Sequence, residues 1–430
     1  MKIRFIYASF HRHAEDHPEL REHVPCDEYF GPPSLGIASI AAFTPDEHEI
    51  DFRDDRFEDL GLDDDVDLFA ISCFTPSSVR AMAIADAVRS RGKPVVIGGI
   101  FPSVRPQEAL QHATAVVVGE GELSWLRVLD DLKRGRLGGI YEASAPCDLR
   151  RLPLPRVDLY LDKECDAYRP DDYPVQLTRG CPLKCSACAV PLSLGRTLRY
   201  LPVEHVVGQI DQLVARGKLA SLTEDTSFFP GAPRKHFERI LDVYVERGEE
   251  APISYVGISM PLVLATDDAF LTKMRRAGVR MFYLVGGFDP ITKGAFTGTN
   301  PRAREKAELA IRRCQEHDID PYTSFLVGNE EDDEGVFDRM LDFCETVSLE
   351  KAEFAIRTPY PGTPTWHEMN DAGRILHRDW SKYNDANVVF RPAQMSPERL
   401  ERGYLELWRD FYASRRALSK RDHREATIQF

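Results

Sequence analysis

Short apolar runs alternate with segments of helical period along most of this 430-residue chain, and that alternation limits the fold more than any other feature. Parallel strands cannot be joined by a tight turn. The chain has to cross back over the sheet, usually through a helix. Between residues 1 and 135 the strand-like runs are "KIRFIYA", "HEIDFRD", "DLFAISC", "PVVIGG" and "AVVVGEGE". Between them, "SLGIASIAAF", "SSVRAMAIADAVRSR" and "ELSWLRVLDDLKRG" carry apolar residues at helical spacing. This predicts an α/β domain with a doubly wound, Rossmann-like parallel sheet. Residues 136 to 174 hold several prolines and no clear period, and read as a linker. From 175 to 365 strands and helices alternate again, starting at "PVQLTRG" and ending at "EFAIRTPYPGTP". Six such units predict a partial (β/α)6 barrel. Residues 366 to 430 form a C-terminal helical segment, with Leu400, Tyr404, Leu407, Trp408 and Phe411 on one face.

Charge and hydropathy narrow the function classes. The formal net charge is -14, which argues against a nucleic-acid or membrane-surface partner. No apolar run approaches the ~20 residues of a membrane span. The N-terminal "MKIRFIYASF" reads as a strand rather than a signal peptide, so a cytoplasmic location is expected. Nine cysteines in a reducing compartment are not expected to form a disulfide framework. Six of them, Cys26, Cys73, Cys147, Cys165, Cys314 and Cys344, are scattered. The other three stand together in "TRGCPLKCSACAVP" as CxxxCxxC: Cys181, Cys185 and Cys188.

Three thiolates at this spacing suit an iron–sulfur cluster with one open iron. A structural zinc site needs a fourth ligand, for which His205 and His236 are candidates. The motif follows the first strand of the second α/β series, at the mouth where barrel-like folds place chemistry. In the first domain, ligands are expected beyond the carboxyl ends of the strands. Those ends, "SCFTPSS", "GGIFPS" and "GEGE", make Ser72, Thr75, Gly98, Gly99, Gly119 and Glu120 ligand candidates.

With this context the chain resembles the radical S-adenosylmethionine (SAM) superfamily, in its branch with an N-terminal cobalamin-binding domain. "PPSLGIASIAA", "GGIFPS", "GEGE", "TRGCPLKCSAC", "PYPGTP" and "VVFRPAQMSPERL" occur in the order that branch shows. The resemblance implies a [4Fe–4S] cluster on Cys181, Cys185 and Cys188, with SAM on the open iron. It implies cobalamin at the six strand-end candidates of the first domain. Glu224 or Asp225 matches the acidic position that meets the SAM amino group. Ser259, Val327 and Gly328 lie where the family contacts ribose and adenine. Arg357 and Tyr360, on "AIRTPYPG", are substrate candidates, Arg357 through its bidentate fork or else paired with a neighbouring acid. The partners implied are a small-molecule substrate and a flavodoxin- or ferredoxin-like reducing protein.

The sequence departs from the family pattern in several places. Ala187 stands where an aromatic residue usually precedes the third cysteine. The fourth strand ends in Phe288 and Asp289 rather than a Glu-Ser-like pair, with Asp289 a candidate SAM contact. The first domain has no D-x-H-x-x-G motif to supply a cobalt ligand. His11, His13 and His17 in "HRHAEDHP" read as a polar loop near the substrate. The leading expectation is an enzyme that functionalises an unactivated carbon of a small molecule by cobalamin-dependent methyl transfer. One alternative is cobalamin-independent radical chemistry: rearrangement, cyclisation or 3-amino-3-carboxypropyl transfer. Another, from a different class, is a zinc-stabilised binding protein.

Overall fold

The computed structural model describes residues 1–21, 23, 31–165, 168–286 and 289–419; Cys26 and Phe288 lie outside them. The first sheet contains β1 (Lys2–Tyr7), β2 (Glu49–Asp54), β3 (Leu68–Ser72), β4 (Val95–Gly98), β5 (Ala115–Val118) and β6 (Gly139–Glu142). Its strands are all parallel, in the order β2-β1-β3-β4-β5-β6. The order reverses between β1 and β3, so the switch point lies between the carboxyl ends of these two strands. Helices 35–42, 78–90, 106–112 and 121–133 lie on the crossovers. β3 and β4 are almost wholly buried, which is why they read as continuous apolar runs.

β6 corrects the reading of 136–174 as linker throughout. It is a four-residue edge strand in which only Tyr141 is buried, so it leaves no readable period. The helix Asp158–Leu161 also packs on the first domain. Tyr160 is 1% exposed, accepts from Ala38 N at 2.9 Å and donates to Ser34 O at 2.8 Å.

The second sheet contains β7 (Asp172–Pro174), β10 (Leu219–Leu222), β11 (Ile253–Ile258), β12 (Met281–Leu284), β13 (Asp320–Val327) and β14 (Ala352–Ile356). These strands are parallel and stand in chain order, β14-β13-β12-β11-β10-β7, as an open partial barrel. The expected first strand "PVQLTRG" shifts. Its sheet pairing ends at Pro174, and Thr178–Arg179 (β8) instead pairs antiparallel with Arg199–Tyr200 (β9). This small ribbon holds the cysteine loop between its two strands.

The C-terminal helix Pro397–Ser419 covers the barrel beside β14. Its five apolar-face residues are at most 1% exposed. The Trp408 indole N–H donates to Phe354 O at 3.1 Å, and its ring meets Phe354 edge-on. Trp408→Ala is expected to destabilise the chain by ~3–5 kcal/mol through a cavity and an orphaned carbonyl, read as a lower denaturant midpoint.

"HRHAEDHP" is not a loop throughout. It forms the short helix His13–Asp16, which docks the C-terminal segment. His13 is fully buried, with Nδ1 2.5 Å from Tyr404 Oη, and His17 Nε2 meets Ala386 O at 2.7 Å. Glu353 lies 3.5 Å from His13 Nε2 and accepts from Tyr283 at 2.7 Å. Burial opposes the Glu353 charge, but the His13 hydrogen bond and the Arg12 and His13 charges overcome it and hold the carboxyl at about 2.

Candidate functional site

The carboxyl ends of the two sheets open on one cavity of ≈ 1180 Å³. Cys181, Cys185 and Cys188 lie on its barrel side, and all are free thiols. The loop that carries them is shaped by backbone. Gly180 has φ +80, and a Cβ there would stand 2.3 Å from Thr197 O. Cys181 N donates to Gly195 O at 3.1 Å, and Thr365 N to Ser186 O at 3.0 Å. Burial raises all three thiol pKa values, so a thiolate set here needs a cation to neutralise it. That donor set fits a cluster held by three sulfurs. Neither histidine considered as a fourth zinc ligand is aimed at it. His205 Nε2 meets Pro153 O at 3.2 Å, and His236 Nε2 meets Leu201 O at 2.8 Å.

All six candidates from the first domain, Ser72, Thr75, Gly98, Gly99, Gly119 and Glu120, line the same cavity. Gly99 has φ +111, and a Cβ would fall 2.3 Å from Cys73 O. Ser103 Oγ donates to Gly99 O at 2.7 Å and accepts from Gly119 N at 2.9 Å, tying the two strand ends together. This cradle of bare backbone and hydroxyls suits a large polar-rimmed cofactor such as cobalamin. The Glu120 carboxylate is engaged by Arg179, Arg199 and the amide of Cys147.

The barrel candidates separate into two groups. Asp225, Ser259, Asp289 and Tyr360 line the cavity. Burial raises the Asp225 pKa, partly offset by a hydrogen bond with Ser259. Asp289 caps helix Pro290–Ala295, accepting from Ile291 N at 2.8 Å and Thr292 Oγ1 at 2.6 Å. Tyr360 donates to Asp385 at 2.9 Å.

The other group is turned to structural work. Glu224 accepts from Leu177 N, Thr178 N and Thr178 Oγ1 at 3.3, 2.7 and 2.6 Å, bracing the chain just before the cysteines. Val327 is fully buried, and Gly328 packs under Leu400 and Phe390. Arg357 pairs with Glu330 at 3.0 Å, and Glu330 also holds Arg374 at 2.7 Å. Sequence reasoning missed the apolar wall, including Ile40, Phe74, Ile100, Trp125, Leu183 and Val285. Nothing local distinguishes these side chains from ordinary core.

Burial pushes the Glu224 carboxyl up to about 7, against the donors from Thr178 and Leu177 and the charge of Arg179. Its folded pKa lies above the unfolded 4.5, so the native protein binds the extra proton between those values. This stabilisation is complete below pH 4.5 and is lost as pH rises through about 7, at most ~3 kcal/mol. Glu224→Gln is expected to flatten the fall of melting temperature over that window. An unchanged slope in a pH series of thermal melts would contradict it.

Comparison with known proteins agrees with this geometry. The B12 binding domain family matches residues 29–128, and the Radical SAM superfamily matches residues 175–344. The fold and site therefore define an α/β enzyme that joins a B12-binding domain to a radical SAM domain. The chain belongs to the radical SAM superfamily, in the branch with an N-terminal B12-binding domain. Its cofactors are a [4Fe–4S] cluster, SAM and cobalamin.

Among its relatives is the bacteriochlorophyllide d C-8(2)-methyltransferase of Chlorobaculum tepidum, 28% identical over 84% of this chain and 82% of the relative. The C-12(1)-methyltransferase of the same organism is 27% identical over 88% and 82%. The structure of TsrM from Kitasatospora setae, a radical SAM methyltransferase with cobalamin and a [4Fe–4S] cluster bound, superposes with a TM-score of 0.64. It is 17% identical and covers 94% of this chain and 85% of TsrM. Among the described residues, no helix is long and apolar enough to cross a membrane.

Proposed function

We propose that this enzyme methylates an unactivated carbon of a largely apolar small molecule. The observation that carries this reading is the single cavity shared by the cysteine loop and the strand ends of the B12-binding domain. A group can pass between two cofactors only if both reach one water-excluding space. The apolar wall at Ile100, Phe74, Leu183 and Val285 favours a substrate with an apolar body. The relatives' names, two bacteriochlorophyllide methyltransferases and a hopanoid C-2 methylase, support methyl transfer.

When bound, the three cofactors supply cleavage of a carbon–sulfur bond of the sulfonium and carriage of a methyl group. The chain's own residues hold and orient them. Cys181, Cys185 and Cys188 would hold the cluster, and Asp225, steadied by Ser259, would receive the SAM amino group. Ser72, Thr75, Gly98, Gly99 and Gly119 would cradle cobalamin. Tyr360, fixed by Asp385, would form the wall beside the substrate. A flavodoxin- or ferredoxin-like protein would deliver the electron, in the cytoplasm.

The test is anaerobic purification with cobalamin supplied, followed by iron, sulfide, zinc and cobalt analysis. Incubation with SAM carrying a trideuterated methyl group then follows the label. About four irons with stoichiometric cobalt and a labelled apolar product are expected. Iron without retained cobalt would favour rearrangement or 3-amino-3-carboxypropyl transfer, and zinc without sulfide would remove the enzyme reading.

A further inference from the structure

We infer that Glu120, Glu122, Arg179 and Arg199 form a positioning clamp that sets the cysteine loop against the cofactor-binding strand ends of the first domain. Arg179 and Arg199 face each other across the β8–β9 pair. Everything between them, residues 180–198, is the loop that carries the three cysteines. Both arginines reach the same turn of the first domain, where Glu120 and Glu122 follow Gly119 at the end of β5. Arg179 Nη2 lies 2.6 Å from Glu122 Oε1, and Arg179 Nη1 lies 3.3 Å from Glu120 Oε2. Arg199 Nη2 pairs closely with Glu120 Oε1, and Arg199 Nη1 donates to Cys147 O at 3.1 Å. Arg179 Nε donates to Gln176 Oε1 at 2.9 Å.

Burial separates this cluster from the many surface ion pairs of the chain. The side chains of Glu122, Arg179 and Glu120 are 3%, 6% and 7% exposed, and Arg199 is 19% exposed. An exposed pair constrains little. Buried charges are tolerated only when every donor and acceptor is met, which fixes the geometry of both partners. The planar fork of Arg179 contacts three acceptors in fixed directions, which a lysine cannot reproduce. The loop is therefore tied at both ends to the turn beside Gly119. Glu120, Glu122 and Arg179 also line the cavity. The clamp spans the two sides that would hold the two metal cofactors, and its role in catalysis rests on the proposed function. Group transfer depends steeply on such a separation: a misplacement of ~1 Å can cost ~10²-fold.

The test compares wild type with Glu122→Gln and Arg179→Lys in the holoenzyme. Iron and cobalt content, the separation of paramagnetic cobalt from the reduced cluster by pulsed electron paramagnetic resonance, and methyl product per SAM consumed are measured. Metal contents should match wild type, while the distance distribution broadens and product per SAM falls ~10-fold or more in Glu122→Gln and Arg179→Lys. Wild-type distances and coupling in both variants would overturn the clamp.

Hydrogen exchange on the metal-free chain tests the same contacts without cofactors. Residues 115–122 and 180–198 should exchange faster together while helix 397–419 does not. Acceleration spread evenly over the whole chain would mean a stability role and would overturn the proposal. Wild type that takes up no cobalt would overturn the functional reading, and the exchange pattern would still judge the clamp.

Discussion

Cys185→Ala is expected to fold, to lose the cluster, and to cleave SAM at least ~10³-fold more slowly, a barrier increase of ~4 kcal/mol. Cys185 is half-buried on a loop at the cavity wall, so its thiol adds little to the core. Cys181, Cys185 and Cys188 are the three sulfurs of this loop, and two cannot hold the cluster with a single open iron. Iron and sulfide analysis, the absorption spectrum and SAM turnover read the outcome together. Unchanged iron content and turnover would remove the cluster assignment. A chain that loses secondary structure as well would mean the loop carries more of the fold than its exposure indicates.

Gly180→Ala is expected to lower iron incorporation about tenfold or more, by straining the loop at ~2–4 kcal/mol. Two effects add. An L-residue at φ +80 is disfavoured, and the new Cβ would fall 2.3 Å from Thr197 O, a backbone atom that cannot rotate away. Gly248 is the control. Its φ is +71 with no atom within 4 Å of the added Cβ, so Gly248→Ala pays the conformational strain alone. It should cost ~1 kcal/mol of stability and leave iron content unchanged. Equal iron loading in the two variants would show that the close approach to Thr197 does not shape the cysteine loop.

Most elements were legible because they depend on local period. The helices 78–90, 203–214, 301–316 and 336–346 and the buried runs at β3, β4 and β5 carry their pattern within a few residues. The exceptions share a cause. β6 hides because only Tyr141 of its four residues turns inward. β8 and β9 hide because two residues each make no period, and their pairing joins positions 20 and 22 apart. The site divided in the same way. Cysteine spacing and glycine-rich strand ends are local signals, and all nine residues they marked line one cavity. The acidic and basic candidates depended on which partner came near. Glu224 and Asp225 are adjacent in sequence, yet one braces Leu177 and Thr178 while the other faces the cavity with Ser259. Arg357 found Glu330, a residue 27 positions earlier.

The sequence by itself therefore determined the two parallel sheets, the three thiols and the loops that reach a ligand, because strand alternation, helical period and motif spacing act over short stretches of chain. The tertiary structure alone decided which charges face the cavity and which are locked in pairs. It buried His13 against Tyr404, 391 positions away, and brought Glu120 to Arg199 across 79 positions. A charge becomes a ligand or a strut according to whether a partner reaches it first, and that depends on distances that only the closed fold creates.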